Sequence, residues 1–282
     1  MLKSLNSGVT GMKNQQTKMD VIANNIANVS TTGFKTGRVR FEDMISQTNT
    51  NAQAGINAQQ VGLGVQTSAI DTIMTGGSLQ STGRSLDFGI ENGDSSFFTV
   101  SSDGSTENLA YTRDGGFYTD ASGKLVTSSG LSIMGYTTGA DGKLNENNLQ
   151  PLKIDKEITV NGNTYELQSY NIDSEGVIRG SYSDGESHVL GQIVLTNFSN
   201  PDGLEKSGGN LYSRTINSGE PTIGKPGSTG YGKVQSGFLE MSNVDLANEF
   251  TEMIITNRAY QANSRSITTS DGMLEELINL KR

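Results

Sequence analysis

The residues that most resemble a chemical motif form a glycine-rich loop, GSTGYGK, at positions 227–233. Its spacing matches GxxxxGK, in which backbone N–H groups and one lysine hold a phosphate. The hydroxyl side chain that should follow and bind magnesium is replaced by Val234. Pro221 and Pro226 precede the loop where a buried strand should stand, and proline is rare in such strands. The sequence therefore predicts a linker loop at this position instead of a nucleotide site.

Few other residues could carry chemistry. The chain has one histidine, His188, and no cysteine. Thiolate catalysis, disulfides and cysteine metal sites are therefore excluded, and so is a cluster of histidine ligands. No GxSxG motif supplies a nucleophilic serine for His188, which is expected at the end of a strand. The Asp-Gly pairs also lack the spacing of a calcium loop. Taken together, these missing motifs lead us to expect no enzyme activity, no bound metal and no cofactor.

The charge balance argues against a polyanionic partner. The chain carries 21 basic and 30 acidic residues, a net charge of −9. This balance opposes binding to nucleic acid or to anionic lipid. The main basic cluster comprises Lys35, Arg38 and Arg40. Apolar residues alternate with it, which predicts a short strand with a solvated charged face.

No segment has the pattern of a signal peptide or a membrane span. The first residues lack an apolar region of about 7 to 15 residues, and no apolar run approaches the ~18 residues that cross a bilayer. We expect no membrane insertion, and we expect any export to proceed without a cleaved signal peptide.

Both ends of the chain predict long helices, because apolar residues recur there at alternating spacings of three and four, as in a coiled coil. The N-terminal seam consists of Leu2, Leu5, Val9, Met12, Gln16, Met19, Ala23 and Ile26. The C-terminal seam consists of Leu246, Phe250, Met253, Asn257, Tyr260, Ser264, Ile267, Asp271, Leu274 and Ile278. Such stripes can pack on their own domain or between subunits. We favour assembly between subunits, since the polar members would weaken a coiled coil that stood alone.

The middle of the chain predicts antiparallel β-structure. Short alternating runs such as SFFTV and HVLGQIVLTNF are separated by turn-forming pairs about ten residues apart. These pairs include Asp103-Gly104, Asp114-Gly115, Ser122-Gly123, Asp141-Gly142, Asn161-Gly162, Glu175-Gly176, Asp184-Gly185 and Asp202-Gly203. Residues 46–60 are polar and uncharged, and they predict disorder in an isolated chain.

These patterns predict a mainly β fold bracketed by N- and C-terminal α-helices. The expected helical assembly domain comprises residues 1–32 and 243–282, which form a coiled-coil-like element. Extended linkers are expected at residues 33–70 and 225–242. The central all-β domain is expected at residues 71–224. Chemistry is nearly absent, so the residues by themselves indicate a structural protein that assembles.

The segment VIANNIANVSTTGFK, at residues 21–35, resembles the N-terminal signature of the bacterial flagellar rod and hook protein family. The signature residues are Asn24, Asn25, Ile26, Ala27, Asn28, Gly33, Phe34 and Lys35. Further blocks that resemble this family are TGRSLD at 82–87, YTRDG at 111–115, NPDGL at 200–204, GNLY at 209–212 and GFLEMSNVDLANEF at 237–250. The resemblance covers most of the chain.

Within the family, three features resemble the hook branch in its short Gram-positive form. They are the start MLKSLNSGVTGMKNQQTKMD, the VGLGV at 61–65 and the terminal LINLKR. The distal rod branch is the alternative. The family usually has a glycine before the aromatic pair Phe97-Phe98, where this chain has Ser96, so the turn there is expected to differ. The large outer β-domain of many hook proteins has little room in this chain.

The resemblance implies a hollow helical tube that joins the flagellar rod to the filament and transmits torque while it bends. It also implies the partners: copies of the same chain, the rod, the hook cap, the hook–filament junction proteins and the type III export apparatus. The implied location is the bacterial flagellum outside the cell. The terminal seams and residues 24–35 carry the implied assembly role. A secreted β-rich adhesin or carbohydrate-binding module with helical anchors is the alternative of a different class.

Overall fold

The computed structural model of the chain describes residues 2–51, 55, 57–106, 108–139, 144–160 and 163–280. The chain divides into two compact units. Unit 1 contains residues 1–29, 36–73 and 244–282, and unit 2 contains residues 30–35 and 74–243. The chain therefore passes four times between them. The turn pairs expected at Asp141-Gly142 and Asn161-Gly162 lie outside the described residues.

Unit 1 combines two long helices with two β-ribbons. Helix α1 is Leu2–Ala27 and α2 is Leu246–Asn279. Strands β1 (Gly37–Asp43) and β4 (Val65–Thr72) pair antiparallel, and β2 (Ser46–Thr50) pairs with β3 (Gln59–Gly62). The side chains of β2 and β3 are nearly all exposed. The disorder expected for residues 46–60 is thus replaced by a paired ribbon in the described part of this segment.

The two helices of unit 1 run antiparallel and approach closely. A Cβ atom on Gly11 would lie 2.7 Å from Asn263 Nδ2, so only glycine permits this approach without movement of the Asn263 side chain. At one end of the pair, the hydroxyls of Ser4 and Ser270 are 3.5 Å apart. In the described residues no helix is long and apolar enough to cross a membrane.

Asp245 begins α2. Its carboxylate accepts hydrogen bonds from the backbone N–H groups of Ala247 and Asn248, as an N-cap does.

Unit 2 is built from short antiparallel strands. Its strands are β5 (Leu79–Ser81), β6 (Phe88–Glu91), β7 (Ser96–Ser101), β8 (Leu109–Thr112), β9 (Phe117–Thr119), β10 (Leu125–Thr127), β11 (Ser132–Thr138), β12 (Leu144–Pro151), β13 (Glu157–Val160), β14 (Asn163–Ile172), β15 (Val177–Tyr182), β16 (Ser187–Ile193), β17 (Leu195–Asn197), β18 (Glu205–Gly208), β19 (Leu211–Ser213), β20 (Thr222–Gly224), β21 (Lys233–Ser236) and β22 (Phe238–Glu240). A short 3-10 helix spans Pro201–Gly203.

One branched sheet dominates unit 2. Its main path is β13-β14-β15-β16-β11-β7-β8-β19-β18, and β9, β10, β12, β17 and β20 branch from that path. Two separate ribbons pair β21 with β6 and β22 with β5. Strands β21 and β22 lie in the 225–242 stretch that was predicted to be an extended linker. The predicted fold class, mainly β with a helix at each end, is confirmed.

The core of unit 2 has two clusters. The larger packs aromatic and aliphatic side chains, and Phe98 meets Phe117 edge to face at 5.5 Å between ring centroids. The smaller is mostly aromatic, and Tyr111 meets Phe198 at 4.7 Å with the rings nearly perpendicular. Edge-to-face contacts of this kind favour one arrangement of the rings. A chain with few bulky residues thus concentrates them inside unit 2.

The turn-forming glycines have two different roles. Gly123 and Gly185 have positive φ angles of 80° and 81°, as tight turns require. Gly115 is not among the glycines of positive φ, contrary to the expectation for the Asp114-Gly115 pair. A Cβ atom there would lie 1.8 Å from the carbonyl oxygen of Phe88. Gly115 is therefore needed for a close backbone approach.

We expect Gly115→Ala to destabilise unit 2 by about 3 kcal/mol or more, because the new methyl group displaces the Phe88 backbone. Urea unfolding followed by tyrosine fluorescence measures this change. Gly116→Ala is the matched control, since its nearest non-neighbouring atom would be 3.5 Å away. Equal stability of the two variants would contradict the prediction.

Candidate assembly site

Helix α2 buries a polar row of side chains. Glu249, Thr256, Asn263 and Ser270 recur at intervals of seven and are buried or half-buried. Sequence reasoning missed this row because it seeks apolar residues inside. Of the predicted C-terminal seam, Met253, Ser264, Ile267 and Leu274 are half-buried, whereas Leu246, Phe250, Asn257, Tyr260, Asp271 and Ile278 are exposed.

The exposed residues of α2 are unusually apolar. Phe250 is 50% exposed, Ile254 63% and Leu277 49%. Surface area of this kind, repeated along one helix, is typical of a surface that contacts another protein. Helix α2 therefore buries a polar row beside the half-buried Met253, Ile267 and Leu274, and it leaves several apolar side chains exposed.

Helix α1 follows its predicted seam more closely. Leu5, Val9, Met12, Met19 and Ile26 are half-buried, while Gln16 and Ala23 are exposed. The side chain of Leu2 lies outside the described residues. The most buried side chains of α1 are Ile22, 4% exposed, and Asn25, 3% exposed.

Asn25 joins three segments of unit 1. Its side-chain amide donates to the carbonyl of Gly37 at 2.9 Å and to Glu249 Oε1 at 3.1 Å. Its oxygen accepts from the Gly37 N–H at 2.9 Å. Burial raises the pKa of Glu249, and the hydrogen bonds from Asn25 and Thr36 act in the opposite direction. The signature asparagine thus fixes the start of β1 against both helices.

The other asparagines of the signature end helix α1. Asn28 Nδ2 donates to the carbonyl of Asn24 at 2.9 Å and to its side-chain oxygen at 2.6 Å. Ala27 is the exposed last residue of the helix. The same carbonyl also accepts the backbone N–H of Asn28 at 3.1 Å, so Asn24 and Asn28 together close the last turn of the helix.

The remaining signature residues lie in unit 2. Gly33 has a φ of 67°, and its N–H donates to the carbonyl of Glu240 at 2.8 Å. The ammonium of Lys206 lies 5.0 Å from the centroid of the Phe34 ring. Lys35 is fully buried and donates to the carboxylate of Glu240 and, at 2.8 Å, to the carbonyl of Thr75. The solvated face expected for Lys35 is therefore wrong.

Glu240 is the centre of a buried ionic network. Beside Lys35, its carboxylate accepts from Arg113 Nη1 at 3.1 Å and from the N–H of Gly77 at 2.9 Å. Arg113 also donates to the carbonyls of Gly93 and Asp94. Burial lowers the pKa of Lys35, while the negative charge of Glu240 opposes that shift. The two cations and one anion thus depend on each other and on backbone carbonyls.

The other two members of the basic cluster, Arg38 and Arg40, lie on a solvated strand face as predicted. The side chains of Arg38 and Arg40 are more than 60% exposed and face Asp71 at 3.6 and 3.7 Å. Such exposed pairs contribute little to stability. Arg113 and Glu240 were missed by sequence reasoning, although both lie inside blocks that resemble the family, YTRDG and GFLEM.

The loop at 227–233 is folded on itself. The N–H of Gly227 donates to the carbonyl of Gly232 at 2.9 Å, and the N–H of Tyr231 to that of Ser228 at 3.0 Å. These amides are already bonded within the loop. Val234, which replaces the magnesium-binding hydroxyl, is fully buried in β21.

His188 lies near the start of β16, where a strand-end histidine was expected. Its Nε2 is 2.6 Å from Asp184 Oδ2, and that hydrogen bond lowers the pKa of Asp184. With Glu186 these residues form a group whose ligand atoms lie within 4.8 Å of one another, a spacing that can hold a metal ion. The contact between Asp184 and His188 is also an ordinary hydrogen bond that needs no metal ion.

We expect Glu240→Gln to destabilise unit 2 by about 3 to 5 kcal/mol, because it leaves two buried cations without their anion. Urea unfolding followed by tyrosine fluorescence measures the loss. Glu205→Gln, at an exposed position of β18, is the control and should change stability by less than about 0.5 kcal/mol. A small effect of Glu240→Gln would show that the network does not stabilise the unit.

We expect Asn25→Ala to destabilise unit 1 by about 2 to 3 kcal/mol, since it leaves both backbone groups of Gly37 without this partner. Thermal melting of the helical circular dichroism signal of the assembled chain measures the change. Asn24→Ala removes only an exposed hydrogen bond, the one from Asn28, and should cost less than about 1 kcal/mol. Equal melting of the two variants would contradict the assigned role of Asn25.

Three family models match the chain. They are described as flagella basal body rod protein at residues 5–35, flagellar hook protein FlgE/F/G D1 domain at 92–180, and flagellar basal body rod FlgEFG protein C-terminal at 235–280. The first and last cover α1 and α2, and the middle one lies in unit 2. The matched segments therefore include Asn25, Lys35, Arg113 and Glu240.

Relatives match along the whole chain. The flagellar basal-body rod protein FlgG of Bacillus subtilis is 46% identical over 289 aligned residues, and the match covers all of both chains. FlgG of Borreliella burgdorferi is 38% identical over 290 residues, again across both chains. The flagellar hook protein FlgE of the same organism is 31% identical over 447 residues, with both chains covered. These rod and hook names do not support the adhesin alternative, and they locate the chain's relatives in the bacterial flagellum. The chain belongs to the flagellar rod and hook protein family, which consists of structural proteins.

Proposed function

We propose that the chain polymerises into the flagellar hook, a flexible hollow tube that transmits motor torque from the rod to the filament. The observation that carries the assembly part of this proposal is the outward apolar face of α2. Phe250 and Ile254 are at least half exposed along that face. Covering such side chains with neighbouring copies removes apolar area from water and stabilises the polymer by about 25 cal/mol for each Å² covered.

The buried ionic network supports a role in force transmission. Lys35 bonds to the carbonyl of Thr75 and to Glu240, and Asn243 also bonds to Thr75. Positions 35, 75 and 243 each lie within two residues of a point where the chain passes between the units. Force that is transmitted along the backbone into unit 2 therefore enters at positions that these hydrogen bonds connect.

The distal rod is the second candidate, and the rod-named relatives favour it. They align over 289 to 290 residues, whereas the hook relative of Borreliella burgdorferi aligns over 447. The hook proposal rests on the resemblance of the N-terminal start, VGLGV and LINLKR to the short hook branch. Both candidates share the tube and the terminal helices, so whether the tube bends is the property that distinguishes the hook from the distal rod.

Export without a cleaved signal peptide, by the type III apparatus, is part of this proposal. The polar inner row of α2 gives the helix pair little apolar burial of its own. The ends would therefore remain disordered in the exported monomer and order on contact with neighbours. The rod, the hook cap and the hook–filament junction proteins are the proposed further partners.

We expect the purified full-length chain, concentrated at high salt, to form tubes in negative-stain electron microscopy. A chain reduced to residues 30–243, which keeps unit 2 and removes α1 and α2, should form none. Curved tubes support the hook and straight tubes the distal rod. A full-length chain that stays monomeric even when seeded with hook or rod fragments would contradict the proposal.

A further inference from the structure

The outer face of α2 contains a groove that can receive a side chain. It is lined by Met253, Ile254, Asn257, Arg258 and Gln261 and has a volume of about 320 Å³. The lining positions form two rows along the helix, i, i+4, i+8 and i+1, i+5, with the groove between them. Such grooves receive side chains of a neighbouring helix, and the side chain that enters this one is called the knob here.

The same helix carries a candidate knob near its other end. Leu277 is 49% exposed, and Met273, one turn earlier on the same side, is 45% exposed. At about 100° per residue, Leu277 points about 170° away from the middle of the groove. The groove and the knob therefore lie on opposite sides of one helix and cannot meet within one copy.

Charges flank the groove and the knob with opposite signs. Arg258 borders the groove, and its guanidinium donates to Gln261 at 3.2 Å. Glu276 precedes the knob. In the described part of the chain neither Arg258 nor Glu276 has an ion-pair partner. With two helices side by side and in the same direction, the two residues project to the same edge of the contact.

We propose that Leu277 of one copy inserts into the α2 groove of a second copy, with Glu276 beside Arg258. This proposal rests on the proposed polymerisation and specifies one of its contacts. From Asn257, at the middle of the groove, to Leu277 is 20 residues, an axial stagger of about 30 Å. Because groove and knob lie on opposite sides, each copy offers the groove to one neighbour and the knob to another. Such a contact repeats without closing, as a helical polymer requires.

Cysteine cross-linking tests the contact, since the chain has no cysteine of its own. Equal amounts of Asn257→Cys and Leu277→Cys are mixed, assembled and oxidised, and we expect a disulfide-linked dimer as a main product. The matched control mixes Ile255→Cys with Leu277→Cys. Ile255 is 54% exposed but lies on the same side of α2 as Leu277, so little dimer is expected.

Microscopy of the same samples separates the possible failures. Tubes without the Asn257–Leu277 dimer, or with as much dimer in the control, overturn the groove proposal and leave the proposed polymerisation intact. Absence of tubes from the unmodified chain, even when it is seeded with hook or rod fragments, overturns both. Tubes with the selective dimer support both.

A charge exchange tests the ionic part of the contact. Arg258→Glu or Glu276→Arg alone should raise the lowest concentration that assembles by about two- to fivefold. The double variant, with both charges reversed, should assemble close to the original concentration. Both positions are exposed, so loss of the fold does not confuse the result. A double variant that assembles as poorly as the singles would overturn the pairing.

Discussion

The buried carboxylate of Glu240 is the group on which the arrangement of unit 2 depends. A buried charge is costly unless it is paired and hydrogen-bonded, and its partners come from distant positions. Lys35 is 205 residues away in sequence and Arg113 is 127 residues away. Arg113 then orders the carbonyls of Gly93 and Asp94. One carboxylate therefore determines where five separate segments of the chain meet.

The helix pair of unit 1 follows the opposite principle. Its inner contacts use small and polar groups, such as Gly11 against Asn263 and Ser4 near Ser270. Polar contacts inside a helix pair specify register at a cost in stability. Asn25, bonded to Gly37 and Glu249, adds to that specification. The pair is thus well defined in geometry while much of its apolar surface faces outward.

Periodicity predicted the two helices and the β character of the centre, because hydrophobic spacing and turn residues are local signals. For α2, periodicity predicted Phe250 and Asn257 on the inner face, whereas the structure places Glu249 and Thr256 there, one residue earlier. Glu249 and Thr256 are polar, so a rule of apolar burial does not select them. Lys35 was assigned to a solvated strand face by alternation alone. Its burial depends on Glu240, which no local pattern brings near. The signature residues were found only through resemblance, and their separate roles required the contacts.

The exposed apolar side chains of α2 affect how a polymer of this chain would grow and break. In the proposed polymer, subunits inside the wall would have neighbours on every side, whereas those at an end would leave Phe250, Ile254 or Leu277 exposed to water. Exposed apolar side chains favour the addition of another subunit over any rearrangement within the wall. A fractured tube would carry the same exposed groups on both new ends. Growth and repair would then use one set of contacts, and a capping protein that covers these residues would be enough to stop both.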